Sequence, residues 1–306
     1  MKKSLIALAS LAVVSAASAQ SSVTLYGIAD VAVVKDADVS ASLASGGVST
    51  SRWGIKGSED LGGGLNVNFN FEQGLDLTDG SLKGSGFDRQ AWVGMSGGFG
   101  EFKVGKLWNA YDDFAAAGNP VFDSILAPSN IALSYVYVAN PNKGVYYASP
   151  SFGGFSGAIS SSFKDGADNQ RVTAFHVKYE NGPLFVAAGQ ERNKTDGGTR
   201  EVSRLVANYD FGPAKLVSAF GTVKDEGDDI TVGVDVPLGA NMVLSTGVTQ
   251  VRPDVGDNAS SFGIGLAYSL SKRTTVYTGF RKDSDEAVAD FGGVESRFAV
   301  GLKHTF

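Results

Sequence analysis

The chain has 306 residues, a formal net charge of −6 and no cysteine. The missing thiols exclude disulfide scaffolds, thiolate zinc sites and cysteine nucleophiles, and an acidic balance without a Lys/Arg tract argues against nucleic acid as a partner. Hydrophobic residues make up 43% and charged residues only 19%, yet no run in the body of the chain approaches the roughly 20 apolar residues of a membrane helix.

The first segment reads as an export signal. Lys2 and Lys3 give a basic start, Leu5 to Val14 a short apolar stretch, and Ala17-Ser18-Ala19 a small-x-small cleavage site. The apolar stretch is too short for a membrane anchor. The expected division is therefore a signal peptide over 1–19 and a single unit over 20–306.

From Val23 onward the dominant period is two. Leu65-Asn66-Val67-Asn68-Phe69-Asn70-Phe71-Glu72 alternates without a break, as do Ile230 to Val236, Phe262 to Tyr268 and the closing run Phe298 to Phe306. Such alternation sends one residue set to each face of a sheet. Taken in order, the pattern predicts sixteen strands at 22–34, 48–58, 64–76, 87–96, 99–107, 143–149, 155–164, 171–180, 183–192, 201–210, 213–224, 228–237, 241–251, 260–269, 273–283 and 295–306. Short connectors rich in Gly and Pro, such as Asp60-Leu61-Gly62-Gly63-Gly64 and Phe211-Gly212-Pro213, follow every second strand and suit tight reversals. The others are longer and more polar, for example Asp36 to Gly47 and Asp283 to Gly293. Alternating short and long connectors imply up-and-down strands with two distinct ends.

The number of strands decides which face is apolar. Sixteen strands enclose a lumen too wide for side chains to fill, so an apolar interior would be a void. The polar-in, apolar-out arrangement of a transmembrane barrel avoids this and leaves every backbone group paired. A soluble sandwich or propeller is the alternative, and no blade repeat supports it. Phe155, Tyr179, Tyr209, Tyr268, Phe298 and Phe306 fall near strand ends, where aromatic girdles meet lipid headgroups.

Several segments resemble the trimeric general porins of Gram-negative β-proteobacteria. Ser22 to Asp30 (SVTLYGIAD) is similar to that family's first strand, and Ser51 to Leu65 (SRWGIKGSEDLGGGL) to its second strand, first turn and third strand. Asp88 to Met95, Leu270 to Thr274 and the ending Val300 to Phe306 are similar to further motifs. The resemblance implies a sixteen-stranded antiparallel transmembrane β-barrel with short periplasmic turns, longer outer loops and a third loop folded into the pore. It also implies a homotrimer in the outer membrane that passes small hydrophilic solutes and ions by passive diffusion, with Phe306 in the sorting signal.

A pore's selectivity arises from fixed charge at its narrowest part. The connector Leu107 to Asn142 is far longer than ordinary loops, and the resemblance places it inside the barrel. Its Asp112, Asp113 and Asp123 are expected to form the acidic side of the constriction. Arg52 and Lys56 share a face with Gly54, opposite Trp53 and Ile55, and are expected in the lumen. Arg89 matches a pore-lining position of the family, yet shares parity with Ala91, Val93 and Met95; a bulge or a strand start there would reconcile the two. Lys103 shares a face with Glu101, and Lys106 stands where relatives often carry arginine. Together Arg52, Lys56, Arg89, Lys103 and Lys106 form the expected basic wall. Relatives often have one more arginine before the sixth strand, whereas Ala127 to Tyr137 holds no cation, so the expected anion preference is weak.

Catalysis finds little support. A hydrolase needs a nucleophile, a base and an orienting group together, and the chain has only two histidines. His304 shares the lipid-side face of Phe298, and His176 is expected in the lumen as a solvated pore residue. The acidic groups Asp225-Glu226-Asp228-Asp229 and Asp283-Asp285-Glu286 match no calcium-loop spacing, so no metal and no cofactor are expected. A substrate-specific channel would show a ladder of lumen aromatics, and only Tyr26 and Tyr277 are candidates; short outer loops disfavour adhesion.

Overall fold

The computed structural model describes residues 22–167 and 169–306, so the expected signal peptide lies outside the described residues. The strands are β1 (Ser22–Asp36), β2 (Ser42–Ser45), β3 (Arg52–Gly62), β4 (Leu65–Gly74), β5 (Gln90–Gly97), β6 (Gly100–Lys106), β7 (Gly144–Ala148), β8 (Phe155–Ser162) and β9 (Arg171–Asn181). They continue as β10 (Leu184–Thr195), β11 (Gly198–Asp210), β12 (Lys215–Val223), β13 (Gly227–Pro237), β14 (Met242–Pro253), β15 (Ala259–Ser269), β16 (Thr274–Asp283) and β17 (Ser296–Thr305). Successive strands pair antiparallel, and β1 closes the sheet against β17, with Ile28 opposite Thr305 and Asp36 opposite Arg297. Both β2 and β3 pair with the same side of β1, β3 along Ser22–Ile28 and β2 along Val31–Val34. They therefore occupy one strand position, interrupted by residues 46–51, and the closed barrel has sixteen strands.

Closure reaches the last residue. Gly27 and Phe306 exchange both backbone hydrogen bonds, at 3.0 and 3.1 Å. The Phe306 ring lies over Gly27, where a Cβ would come within 2.3 Å of its Cζ. At the first tight reversal Gly62, Gly63 and Gly64 all adopt positive φ, at 84°, 63° and 80°, a run that side chains would strain.

The outward face is apolar. Leu25, Val93, Phe102, Ile159, Val177, Phe220, Val248 and Val300 all stand exposed on it, as lipid rather than water requires. At the short-turn end Phe155 packs on Tyr179 and Tyr209 on Phe211, each pair at 4.6 Å. At the long-loop end Phe87 meets Phe71 and Trp53, at 5.3 and 6.1 Å. These form aromatic bands at both membrane boundaries.

The inward face is less uniform than polar-in alternation implies. The segment from Leu107 to Asn142 folds into the lumen as a chain of short turns, Asp112–Ala115, Ala116–Gly118, Val121–Asp123, Pro128–Ile131 and Leu133–Tyr135. Its Leu107, Ala110, Tyr111, Phe114 and Ala115 are buried against inward-facing Ala187, Val202, Val206, Ala219 and Val223. Further along, Val121 and Leu126 bury against Ala32, Tyr277 and Ala299, and Ile131 against Val251 and Ala259. Part of the lumen wall is thus apolar because a loop, not water, covers it.

Candidate functional site

The inward loop and the barrel wall enclose a water-accessible chamber of about 790 Å³. Its charged lining comprises Arg52, Glu72, Arg89, Arg281 and Arg297 from the wall and Asp112 and Asp123 from the loop.

The wall side is organised around Glu72. Alternation on β4 sends Asn66, Asn68, Asn70 and Glu72 inward, and on β3 it sends Arg52 inward. Arg89 Nε donates to Glu72 Oε1 at 2.7 Å, Arg52 Nε lies 3.5 Å from Glu72 Oε2, and the Tyr26 hydroxyl donates to the same carboxylate at 2.9 Å. Arg89 precedes the first residue of β5, so it escapes the pleat that would have sent it towards lipid. Two features of the inward loop fix it. Its guanidinium lies over the Trp108 ring at 5.0 Å, and Asn140 Nδ2 donates to its carbonyl at 3.0 Å.

Sequence reasoning missed two arginines. Arg281 is buried with a bidentate pair to Asp283, at 2.9 and 2.6 Å, and Arg297 pairs with Asp36 at 2.8 Å through both nitrogens. Parity on β16 and β17 marks both as inward. Their presence in the same chamber as Arg52 depends on barrel closure, which brings β17 beside β1 from the far end of the sequence.

On the loop side each carboxylate accepts from a tyrosine. Tyr137 donates to Asp112 at 2.7 Å, Tyr135 to both oxygens of Asp123 at 2.8 and 2.9 Å, and Tyr146 to Asp113 at 2.7 Å. Burial among loop and wall raises the Asp112 carboxyl to about 6. Asp113 and Asp123 are open to pore water, yet enclosure by the barrel raises both as well, against the tyrosine hydroxyls that favour their charged forms. Asp123 sits in a left-handed turn, with φ of 57°, 63° and 51° at Val121, Phe122 and Asp123. Such conformations cost energy for residues other than glycine. The wall holds this one: Val121 N–H donates to Ser245 Oγ at 2.7 Å, and Pro120 lies against Gly233 and Gly247.

The remaining expected residues lie apart from this chamber. Asp113 turns towards β7 and β9, where His176 Nδ1 is 3.7 Å away. Lys103 lies over the Tyr146 ring at 4.1 Å and pairs with Glu101 at 3.1 Å. Lys56 lies over Tyr26 at 5.1 Å, further along β3 towards the short-turn end. Lys106 bonds the Asn140 carbonyl at 3.0 Å and Asn142 Oδ1 at 2.9 Å, which ties together the two roots of the inward loop.

His176, expected as a solvated pore residue, anchors the loop instead, as do Asp229 and Arg204. His176 is 4% exposed, and its Nδ1–H donates to the Ala110 carbonyl at 2.6 Å. Asp229 belongs to β13, not to an outer acidic cluster; it is buried and accepts from Ser134 N–H at 2.6 Å and Ser134 Oγ at 2.9 Å. Arg204 reaches Ser134 Oγ at 2.6 Å and Asn119 Oδ1 at 2.7 Å, beside Asp229 at 3.7 Å. Tyr26 and Tyr277 do face inward, but Tyr277 is buried against Asp30 and does not line the water path. Among the described residues no cluster of metal-ligating side chains occurs.

A closed barrel, apolar outside and carrying a charged, water-filled narrowing, defines a transmembrane diffusion pore. Residues 5–287 match the Gram-negative porin family, and the chain belongs to that family. It is similar to outer membrane porin protein 32 of Delftia acidovorans, at 35% identity over all of both chains. Among solved structures it is similar to the anion-selective porin from Comamonas acidovorans, with a TM-score of 0.79 and 29% identity over 94% of this chain and 100% of that one. The trimer form of OmpT of Vibrio cholerae, at a TM-score of 0.73 and 18% identity over 94% and 99%, shares the fold. The protein is an outer-membrane porin, a channel for passive diffusion and not an enzyme.

Proposed function

We propose that Arg52 and Arg89, facing Asp112 and Asp123 across the chamber, set the selectivity of this pore for small hydrophilic solutes and ions, with a weak preference for anions. The observation that carries this is the charge pattern of the chamber. Glu72, Asp36 and Asp283 answer three of the four wall arginines, and one positive charge remains opposite the two loop carboxylates. With both loop carboxylates ionised the chamber carries one negative charge in excess. Asp112 holds its proton more readily than an ordinary carboxylate, so mildly acidic medium removes that excess and leaves the lumen cation Lys56, beyond the chamber, to tip the path towards anions. The resemblance to an anion-selective porin points the same way. Lys56 lies along the lumen beyond the chamber and adds positive charge to the path, whereas Glu101 answers Lys103. Lys106 and Asp113 serve this reading indirectly, through loop geometry.

The protein works as a homotrimer embedded in outer-membrane lipid, exported by a signal peptide cleaved after Ala19, with Phe306 as part of the outer-membrane sorting signal. The placement of Phe306 at the closing seam supports a role in assembly. Bilayer recording in a salt gradient tests the selectivity; a strongly cation-selective reversal potential at mildly acidic pH would refute it. Deleting Phe306 should reduce folded trimer in the outer membrane, and normal yield would contradict that role.

A further inference from the structure

We infer that Asp30 is a positioning residue for the constriction: its carboxylate folds residues 46–51 into the lumen and holds them against the inward third loop. This interruption between β2 and β3 has no counterpart in the sequence pattern, which predicts a strand from residue 48. Asp30 is fully buried. Its Oδ1 accepts from Gly47 N–H at 3.2 Å, and its Oδ2 from Val48 N–H at 2.9 Å and Ser49 N–H at 2.7 Å. Three successive amides aimed at one anion form a nest, filled here by a side chain of the same chain. The Tyr277 hydroxyl donates to Oδ1 from across the barrel seam. The Asp30 backbone completes the grip: its carbonyl accepts from Gly46 N–H at 2.8 Å and Ser51 Oγ at 2.8 Å, and its N–H donates to Ser51 Oγ at 3.0 Å.

The excursion then meets the third loop. Ile125 N–H donates to the Gly47 carbonyl at 2.9 Å, and Val48 and Ile125 pack on the cluster of Val121, Leu126 and Tyr277. Gly47 has to be glycine, since a Cβ there would lie 2.0 Å from the Tyr277 hydroxyl oxygen. Residues 46–50 and 123–125 line the same chamber as Arg52 and Asp112. The narrowing is thus bounded by two inward segments joined end to end, and Asp30 sets where the first one stands.

The inference rests on the pore reading, and the test separates the two. Asp30→Asn keeps the shape, removes the charge and turns an amide N–H2 towards donors. The excursion should detach, giving a larger single-channel conductance step and faster entry of neutral sugars into liposomes, with the trimer band unchanged. The chain has no cysteine, so a Val48→Cys reporter is clean. Its modification rate by a water-soluble thiol reagent should rise at least about tenfold in the Asp30→Asn background, the factor for losing one charge-assisted hydrogen bond. A folded Asp30→Asn protein with unchanged conductance and unchanged thiol reactivity overturns the clasp. If that variant does not fold, Ile125→Pro, which removes the N–H to Gly47 together with the side-chain packing, is compared with Ile125→Ala, which removes the packing alone: both readouts should rise further in the proline variant, and no difference between the two overturns the clasp. Absence of any conductance step from the folded parent protein would instead remove the pore reading.

Discussion

The lumen wall has two halves that obey the same strand alternation and end in opposite chemistry. Along β10–β15 many inward residues are small or apolar, among them Ala187, Val202, Val206, Ala219, Gly233, Gly247 and Ala259, and the third loop lies on them. Along β1, β3, β4 and β17 the inward residues include Tyr26, Arg52, Lys56, Asn68, Asn70, Glu72 and Arg297, and water reaches most of them. The first half is a docking surface that buries polar groups, among them Glu191, Arg204, Asp229 and Ser245, in bonds to the loop. The second half is the transport surface, where charges line the water path and pair with one another, Arg89 with Glu72 and Arg297 with Asp36. A porin of this kind thus keeps a packed core, placed to one side inside its own channel. That core fixes the position of charges that the open side must face.

Substitutions should separate the halves. The largest effect belongs to Arg204→Ala on the covered side. It leaves Asp229 buried beside Ser134 without its cation, a loss of about 3–5 kcal/mol for a buried pair, read as a lower denaturant midpoint in folded trimer. Gly247→Ala comes next: the new Cβ would lie 2.4 Å from Pro120 Cγ and 2.9 Å from the Val232 carbonyl, and overpacking of this sort costs about 1–3 kcal/mol. Gly247→Ala should also loosen the left-handed turn that carries Asp123, visible as noisier open-channel current. Equal stability in both variants and parent would erase the distinction between the halves.

Replacing Arg52 and Arg89 together by glutamine should cost less stability than Arg204→Ala, because both glutamines keep amide donors that can reach Glu72 and the Tyr26 hydroxyl still donates to it. The functional effect should be clear: a unit charge about 4 Å from an ion in water is worth about 1 kcal/mol, so the reversal potential should move towards cations by a severalfold change in permeability ratio. An unchanged potential would take both arginines out of the selectivity step. The smallest effect is with pH. The Asp112 carboxyl is raised to about 6, with Asp113, Asp123 and Arg89 as its charged neighbours, so it is neutral below that pH and charged above it. Anion preference should therefore weaken as pH rises through about 6, and Asp112→Asn should remove most of that drift; an equal drift in the variant would assign it elsewhere.

Sixteen strand positions, their faces and the alternation of short and long connectors were legible because period-two patterning and glycine turns are local properties. Arg52 was legible by parity, and Arg89 only by resemblance, since its parity pointed to lipid until the strand start at Gln90 moved it off the pleat. Glu72, Arg281 and Arg297 were each visible as inward charges, but their gathering around one chamber was not. The acidic run at 225–229 misled because adjacent strand residues face opposite ways: Asp228 is exposed and Asp229 buried.

The order of residues along the chain is enough to dictate a membrane barrel, since apolar alternation over so many strands has only lipid to face. How the channel is narrowed was settled by long-range folding. The bonds that do so link Ser134 to Asp229, Val121 to Ser245 and Tyr277 to Asp30, across separations of 95, 124 and 247 residues. Contacts that distant leave no periodic trace in the chain, because each depends on a single side chain meeting one partner group once the barrel has closed.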